Sequence, residues 1–309
     1  AELWLNHAIR GRHKHPQVTE RVVQSDILTS IGRRDPRDLS KGDITRLLAK
    51  INASGRPTIA NDALRYIKAI LAYGEALGMV DRNVAEGLRI DHAGGKEKAR
   101  DRSLSQTELT LLFQAIRSAE ISFGRDNELA VNLLLSLGCR KMELFAAKWS
   151  EVDLIEARWR IPSSRTKTGQ TRELHLSAPV LRWLEELRIR GCSSEYVFPA
   201  RRASKRFGHV SPDTTWRALK DLKHGLEPFS VHDLRRTSRS LMSELGVPFD
   251  VAEKILGHKL PGSAAIYDRG NSDSEQRKAL EKLSQRVHRL SLPKPTNDNV
   301  VDIKGVRHA

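Results

Sequence analysis

The sequence predicts a mainly helical α+β protein in two units, with one small antiparallel sheet inside the second unit. Three observations predict it. Helix start and stop signals recur along the chain, strand-like alternation is confined to two mid-chain stretches, and a charged segment lacking large apolar residues divides the whole. A length of 309 residues suits two globular units better than one small core.

Residues 1–90 read as a helical domain. Ser40-Lys41-Gly42-Asp43 is a capping box leading into Ile44-Thr45-Arg46-Leu47-Leu48. Pro57 suits the first position of a long helix, and Gly78 suits its stop. Between them Ala60, Ala63, Leu64, Ile67, Ile70, Leu71 and Gly74 recur at helical spacing, so one stripe is buried. Arg65 and Lys68 project from other faces as solvated charges or as DNA contacts.

Residues 91–102 hold no apolar residue larger than Ala. The pair Gly94-Gly95 followed by alternating charges reads as a flexible interdomain linker. Residues 103–290 form the second domain, opened by the capping box Ser105-Gln106-Thr107-Glu108. Arg158-Trp159-Arg160-Ile161-Pro162 and Arg172-Glu173-Leu174-His175-Leu176 alternate polar and apolar residues and read as paired strands. Lys167-Thr168-Gly169-Gln170 makes a turn with a basic tip between them. Helices are expected at roughly 179–190, 212–224, 231–245, 248–256 and 273–290, and 291–309 is a tail containing Pro293 and Pro295.

Charge narrows the function. Lys and Arg number 53 against 38 Asp and Glu, a formal +15 with a pI near 10.1. Self-repulsion of that size is commonly offset by a polyanion, with nucleic acid the first candidate. A membrane is a weaker partner, because no apolar run approaches the roughly 20 residues a span requires. Two cysteines, Cys139 and Cys192, are too few for a disulfide framework and point to a reducing, cytoplasmic setting. His7, His13 and His15 are the nearest approach to a metal cluster, but Arg10, Arg12 and Lys14 among them would repel a cation.

Three stretches could carry chemistry. In Gly138-Cys139-Arg140-Lys141-Met142-Glu143-Leu144, a helix ending at Gly138 and another starting near Arg140 place that guanidinium at a natural anion site. Glu143, one turn on, would hold Arg140 by an ion pair; the plain alternative is a surface Arg–Glu pair. In Val231-His232-Asp233-Leu234-Arg235-Arg236-Thr237, His232 and Arg235 share a helix face. Two potential cations are a poor structural pair but a good phosphate clamp; a structural hydrogen bond from His232 is the alternative. In Leu256-Gly257-His258-Lys259, Gly257 lets His258 leave its helix, and nine residues later stands Tyr267. By itself Tyr267 is better explained as an amphipathic surface aromatic.

Taken in order, Arg140, Lys167, His232-x-x-Arg235, Leu256-Gly257-His258 and Tyr267 resemble the active-site series of the tyrosine recombinase (phage integrase) family, over roughly Ser103 to Leu290. The N-terminal part resembles, less closely, the core-binding domain of integrases of satellite phages and genomic islands. In that subgroup an arm-binding domain normally comes first; the chain starts at Ala1 rather than Met, which fits a fragment and leaves open whether such a domain lies upstream. Lys259-Leu260-Pro261-Gly262-Ser263 departs from the Ser/Thr-rich stretch common in the family.

The resemblance implies a site-specific recombinase that integrates or excises a mobile element through a 3′-phosphotyrosine, with no cofactor and no metal. Tyr267 would be the nucleophile, Arg140 and Arg235 the phosphate clamp, and His258 a further donor. Lys167 would be the general acid, His232 would assist proton transfer from Tyr267, and Glu143 would support Arg140. Expected partners are double-stranded attachment-site DNA, gripped between two domains, and three further copies in a tetramer. The tail is expected to dock on a neighbouring copy. An excision factor or a host DNA-bending protein is a further candidate partner, in a cytoplasmic, nucleoid-associated setting. Arg201 and Arg202, in a basic run with Lys205 and Arg206, join Arg65 and Lys68 as candidate DNA contacts. A type IB topoisomerase, with similar chemistry, and a non-catalytic DNA-binding regulator are the rival readings.

Overall fold

The computed structural model describes residues 1–13, 15–97, 101–119, 123–201, 208–258 and 272–293. The chain divides into two compact units, Ala1–Arg100 and Asp101–Ala309.

In the first unit, α1 (Glu2–Trp4) runs into a π-helical stretch Leu5–Ile9, and α2 (Pro16–Val22) runs through a second, Val23–Leu28, into α3 (Thr29–Ile31). These helices lie outside the elements predicted from the sequence. Each π stretch shifts the inward face, so that the adjacent residues Val22 and Val23 are both fully buried and the 3.6-residue spacing is broken. Next come α4 (Lys41–Ala53) and α5 (Pro57–Ala76). Ser40 caps α4 as read, accepting from Asp43 N while Asp43 accepts from Ser40 N. Ile44, Leu47, Leu48 and Ile51 of α4 and Ala60, Ala63, Leu64, Ile67 and Leu71 of α5 lie in one core.

Within the 91–102 stretch, the segment at Gly94 and Gly95 is tied to Asn61 of α5. Asn61 donates to Gly95 O at 2.9 Å and to Glu97 at 3.1 Å, and accepts from Gly94 N at 2.9 Å. A Cβ on Gly94 would stand 1.9 Å from the carbonyl oxygen of Pro57, so only glycine lets the two backbones approach this closely. Residues 94, 95 and 97 are thus fastened to α5, just before the boundary between the two units.

The second unit contains α6 (Gln106–Ala119), α7 (Arg125–Leu137), α8 (Lys141–Phe145), β1 (Val152–Asp153), β2 (Arg158–Ile161), β3 (Arg172–His175), α9 (Ala178–Arg190), α10 (Pro212–Asp221), α11 (Val231–Glu244), α12 (Phe249–Leu256) and α13 (Ser272–Ser291). The box at Ser105 and Glu108 forms as read, at 2.9 and 3.2 Å. Every residue of α7 from Leu129 to Leu137 is buried, the mark of a helix enclosed on all sides. It packs against α9, α10, α11 and α13.

The sheet is antiparallel in the order β1-β2-β3. β1, only two residues long, carries no alternation to read and was not anticipated. In the β2–β3 register Trp159 faces Leu174 and Ile161 faces Arg172, and all four are buried. Arg172 therefore stands at an inward position of a strand that otherwise carries apolar residues there. Among the described residues no helix is long and apolar enough to cross a membrane.

Candidate active site

Two glycine turns create the site. α7 ends at Gly138 and α12 ends at Gly257, both left-handed, with φ of 55° and 65°. Space as well as conformation demands glycine at each. A Cβ on Gly138 would stand 2.9 Å from Leu256 Cδ2, and one on Gly257 would stand 3.0 Å from Arg172 Cδ.

The carbonyls at the end of α12 are distributed in order. Glu253 O accepts from His258 N at 3.0 Å and Lys254 O from Gly257 N at 2.8 Å, closing the turn through the backbone. The next three accept from guanidiniums: Ile255 O from Arg172 Nη2, Leu256 O from Arg235 Nη2, and Gly257 O from Arg140 Nη2 at 3.4 Å. Arg235 also donates to Gly138 O at 2.7 Å, so it bridges both glycine turns. Three cations thus converge on the negative end of a helix dipole and satisfy carbonyls that the helix leaves open.

Glu143 is the carboxylate under this cluster and is 1% exposed. Arg140 caps α8: its main-chain N donates to Glu143 Oε2 and its Nη1 to Oε1, both at 2.8 Å. Arg172 Nη1 donates to Oε2 at 2.9 Å. Burial pushes the Glu143 carboxyl up, but Arg172 and then Arg140 outweigh it and hold the group below the usual carboxylate range.

Arg235 is different. It is 4% exposed, and its hydrogen-bond partners are two carbonyls and His258 Nε2, at 2.8 Å from Nη2. None is a carboxylate. Burial, then Arg172 and Arg140, push its pKa down to about 10, so it remains a cation at neutral pH without a counter-ion beside it. His258 is oriented from behind, with Nδ1 2.5 Å from Glu253 Oε2. If Nδ1 carries the proton toward Glu253, Nε2 is the nitrogen turned to Arg235. Arg239 donates to the other oxygen of Glu253 at 2.8 Å. Cys139, buried beside the cluster, has its thiol pushed up to about 12 by burial and stays protonated.

His232 lies one turn before Arg235 on α11, on the exposed side. Partial desolvation, followed by Arg236 and Arg235, lowers its pKa. Lys167 is exposed on the turn between β2 and β3. Arg65, on α5 in the other unit, pairs with Asp62 at 2.7 Å and lies over the Tyr66 ring at 5.1 Å. It lines a groove with Lys68 and Arg89. Arg201 pairs with Asp126 at 2.7 Å. Tyr267 and Arg202 lie outside the described residues.

The structure therefore brings Arg140, Glu143, Arg235 and His258 together, with His232 alongside. Sequence reasoning missed Arg172 and Glu253. Arg172 had a signal, since it shares strand parity with Leu174 and Leu176 and so occupies an inward place. Glu253 had none beyond lying five residues before His258. Groups of three or more metal-binding side chains are absent among the described residues.

Comparison with known proteins follows the same division. Residues 102–273 match the phage integrase family, and residues 1–91 match the phage integrase central domain. Prophage integrase IntA of Escherichia coli K12 is 26% identical over 267 residues, covering 84% of this chain and 61% of the relative. Tyrosine recombinase XerA of Pyrococcus furiosus is 28% identical over 270 residues, covering 81% of this chain and 91% of the relative. The chain thus spans about six-tenths of the length of the first of these relatives. Lambda integrase, solved as a dimer bound to a COC′ core site and as a tetramer bound to a Holliday junction, shares the fold. The TM-score is 0.66 in both cases at 21% identity, over 87% of this chain and 77% and 80% of the solved chains. The chain belongs to the phage integrase family.

Proposed function

We propose that the protein is a site-specific recombinase that cleaves and rejoins DNA through a 3′-phosphotyrosine on Tyr267, integrating or excising a mobile element. The observation that carries this reading is Arg235, a buried guanidinium held by carbonyls and left without a carboxylate. A cation kept in that condition is poised for an anion, and a backbone phosphate brings a charge the site lacks.

Attack of the Tyr267 phenolate on phosphorus forms a pentavalent arrangement with added charge on the non-bridging oxygens. Arg140 and Arg235 neutralise that charge, and His258, when protonated, donates from Nε2. Fixed donors of this kind are worth roughly 3–4 kcal/mol each in the transition state. Lys167 protonates the departing 5′ oxygen, and His232, with its lowered pKa, is available as a neutral base for the Tyr267 proton. The phosphotyrosine conserves the bond energy, so a 5′ hydroxyl from a partner duplex reseals the strand.

Both units contribute basic surface to duplex attachment-site DNA, with Arg65, Lys68, Arg201 and Arg202 as phosphate contacts that make binding salt-dependent. Exchange between two duplexes needs four active sites, hence a tetramer on DNA, in keeping with the lambda integrase tetramer. An excision factor or a DNA-bending host protein would set the direction, and the protein would work at the nucleoid.

A nicked suicide duplex carrying the element's own attachment core, incubated with EDTA, tests this. The protein should form a denaturant-stable adduct that Tyr267→Phe abolishes. An adduct of undiminished yield in that variant would remove Tyr267 from the mechanism.

A further inference from the structure

Glu143 receives more than the clamp. Arg165, two residues before Lys167, donates from Nη1 to the main-chain oxygen of Glu143 at 2.8 Å, and its Nη2 pairs with Glu151. Arg172, five residues after Lys167, donates to the Glu143 carboxylate at 2.9 Å and to Ile255 O. Thr166 closes the turn between them, its hydroxyl donating to Gln170 O at 2.7 Å. The two ends of the turn are therefore fastened to the same residue that fastens Arg140. Lys167 itself has no hydrogen bond or ion pair to any described residue, so its neighbours in the chain determine where its amine can reach.

We infer that Arg165 and Arg172 are positioning residues that register the Lys167 turn against the Arg140 anchor. The inference rests on the reading of Lys167 as general acid. A long flexible lysine on an untethered turn would sample many places. Pinning both flanks to Glu143 limits the search to the neighbourhood of the clamped phosphate, where a misplacement of an ångström or so costs heavily. Arg165 bears on the turn without touching the carboxylate that holds Arg140. Arg172 does both, since its partner oxygen also accepts from Arg140 N.

In the step concerned the phenolate oxygen of Tyr267 forms a bond to phosphorus, the bond from phosphorus to the 5′ oxygen breaks, and a proton passes from Lys167 Nζ to that oxygen. If sulfur replaces the 5′ bridging oxygen, the leaving group departs as a thiolate and needs no proton. Adduct formation is therefore measured on two nicked duplexes of the attachment core, one with oxygen and one with sulfur at that position.

Arg165→Gln should slow the oxygen substrate roughly 10- to 100-fold and leave the sulfur substrate within about three-fold of the unsubstituted protein. Arg172→Gln should be slower on both, with the larger factor on oxygen, because it also loosens Arg140. Equal losses on the two substrates in both variants would overturn the inference and leave these arginines as supports of the fold. Thermal unfolding of each variant is followed in parallel, and Arg165→Gln, at the less buried position, keeps the test available should Arg172→Gln fail to fold. Lys167→Ala is the separate control: failure of sulfur to rescue that variant would count against the general-acid reading itself.

Discussion

Arginines of the first unit and arginines at the end of α12 carry the same charge in opposite circumstances. In the first unit Arg10 pairs with Glu20 at 2.5 Å, Arg56 with Asp26 at 2.9 Å and Arg65 with Asp62 at 2.7 Å, all on the surface. Each of these cations is matched by at least one neighbouring carboxylate in a solvent-screened setting, where such pairs add little to stability. At the end of α12, Arg140 and Arg172 share Glu143 and each also donates to a carbonyl, while Arg235 donates to two carbonyls and to His258 with no carboxylate among its partners. A carbonyl satisfies a donor without cancelling its charge, so the cluster keeps a net positive field in a place with little water to screen it. The number of basic residues therefore says less about anion binding than what each one is paired with.

The sharpest way to break this comparison is to remove one arginine from each side. Arg235→Ala should lower the rate of adduct formation roughly 10²–10³-fold or more. Arg65→Ala should leave the rate at saturating DNA unchanged and reduce the salt dependence of binding by about one phosphate contact. Equal kinetic losses would mean that pairing does not separate the two classes.

Removing the carboxylates gives the next largest contrast. Glu143→Gln leaves Arg140 and Arg172 without their shared counter-ion and should destabilise the fold by about 3–5 kcal/mol, seen as a lower denaturation midpoint. Asp62→Asn, on the surface of the first unit, should cost no more than about 1 kcal/mol in the same assay.

A smaller effect sharpens the comparison from the ligand side. Inorganic phosphate at about ten times its Kd should stabilise the unsubstituted protein by about 1.4 kcal/mol. Arg235→Ala should lose that gain, whereas Arg65→Ala should keep it. An equal gain in both variants would place the anion elsewhere.

The smallest effect concerns pH. The pKa of His232 is lowered in the folded state, chiefly by desolvation and then by Arg236 and Arg235. Below the unfolded value near 6.5 the unfolded chain therefore binds more protons, so stability should fall as pH drops through that value toward the folded one. Because the side chain is partly solvated, the loss should be slight, and His232→Gln should flatten that part of the stability profile. An unchanged profile would show that His232 does not feel the cluster.

Much of this was legible in the chain because its signals are local. Capping boxes at Ser40 and Ser105, Pro57 at a helix start and alternation around Trp159 and Leu174 each depend on a few neighbouring residues, and the structure reproduces them. Arg140 with Glu143 and His232 with Arg235 were readable as pairs for the same reason, three-residue spacing on a helix being a short-range geometry. The N-terminal helices were not readable, because π stretches move the buried face in mid-helix. The close backbone contact at Gly94 was not readable, because close approach and slack call for the same residue.

Which residues are candidates for the chemistry was thus decided by the chain itself, through residue type and spacing. How they are held was decided only by the fold. Arg165 and Arg172 lie 22 and 29 residues from Glu143, and Arg140 lies 117 from Gly257, so no local pattern records their meeting. Hydrogen bonds to main-chain carbonyls are also blind to the side chain of the accepting residue. The carbonyls of Gly138, Ile255, Leu256 and Gly257 are chosen by where two helices stop. That choice appears only once the ends of α7 and α12 have met at Arg235.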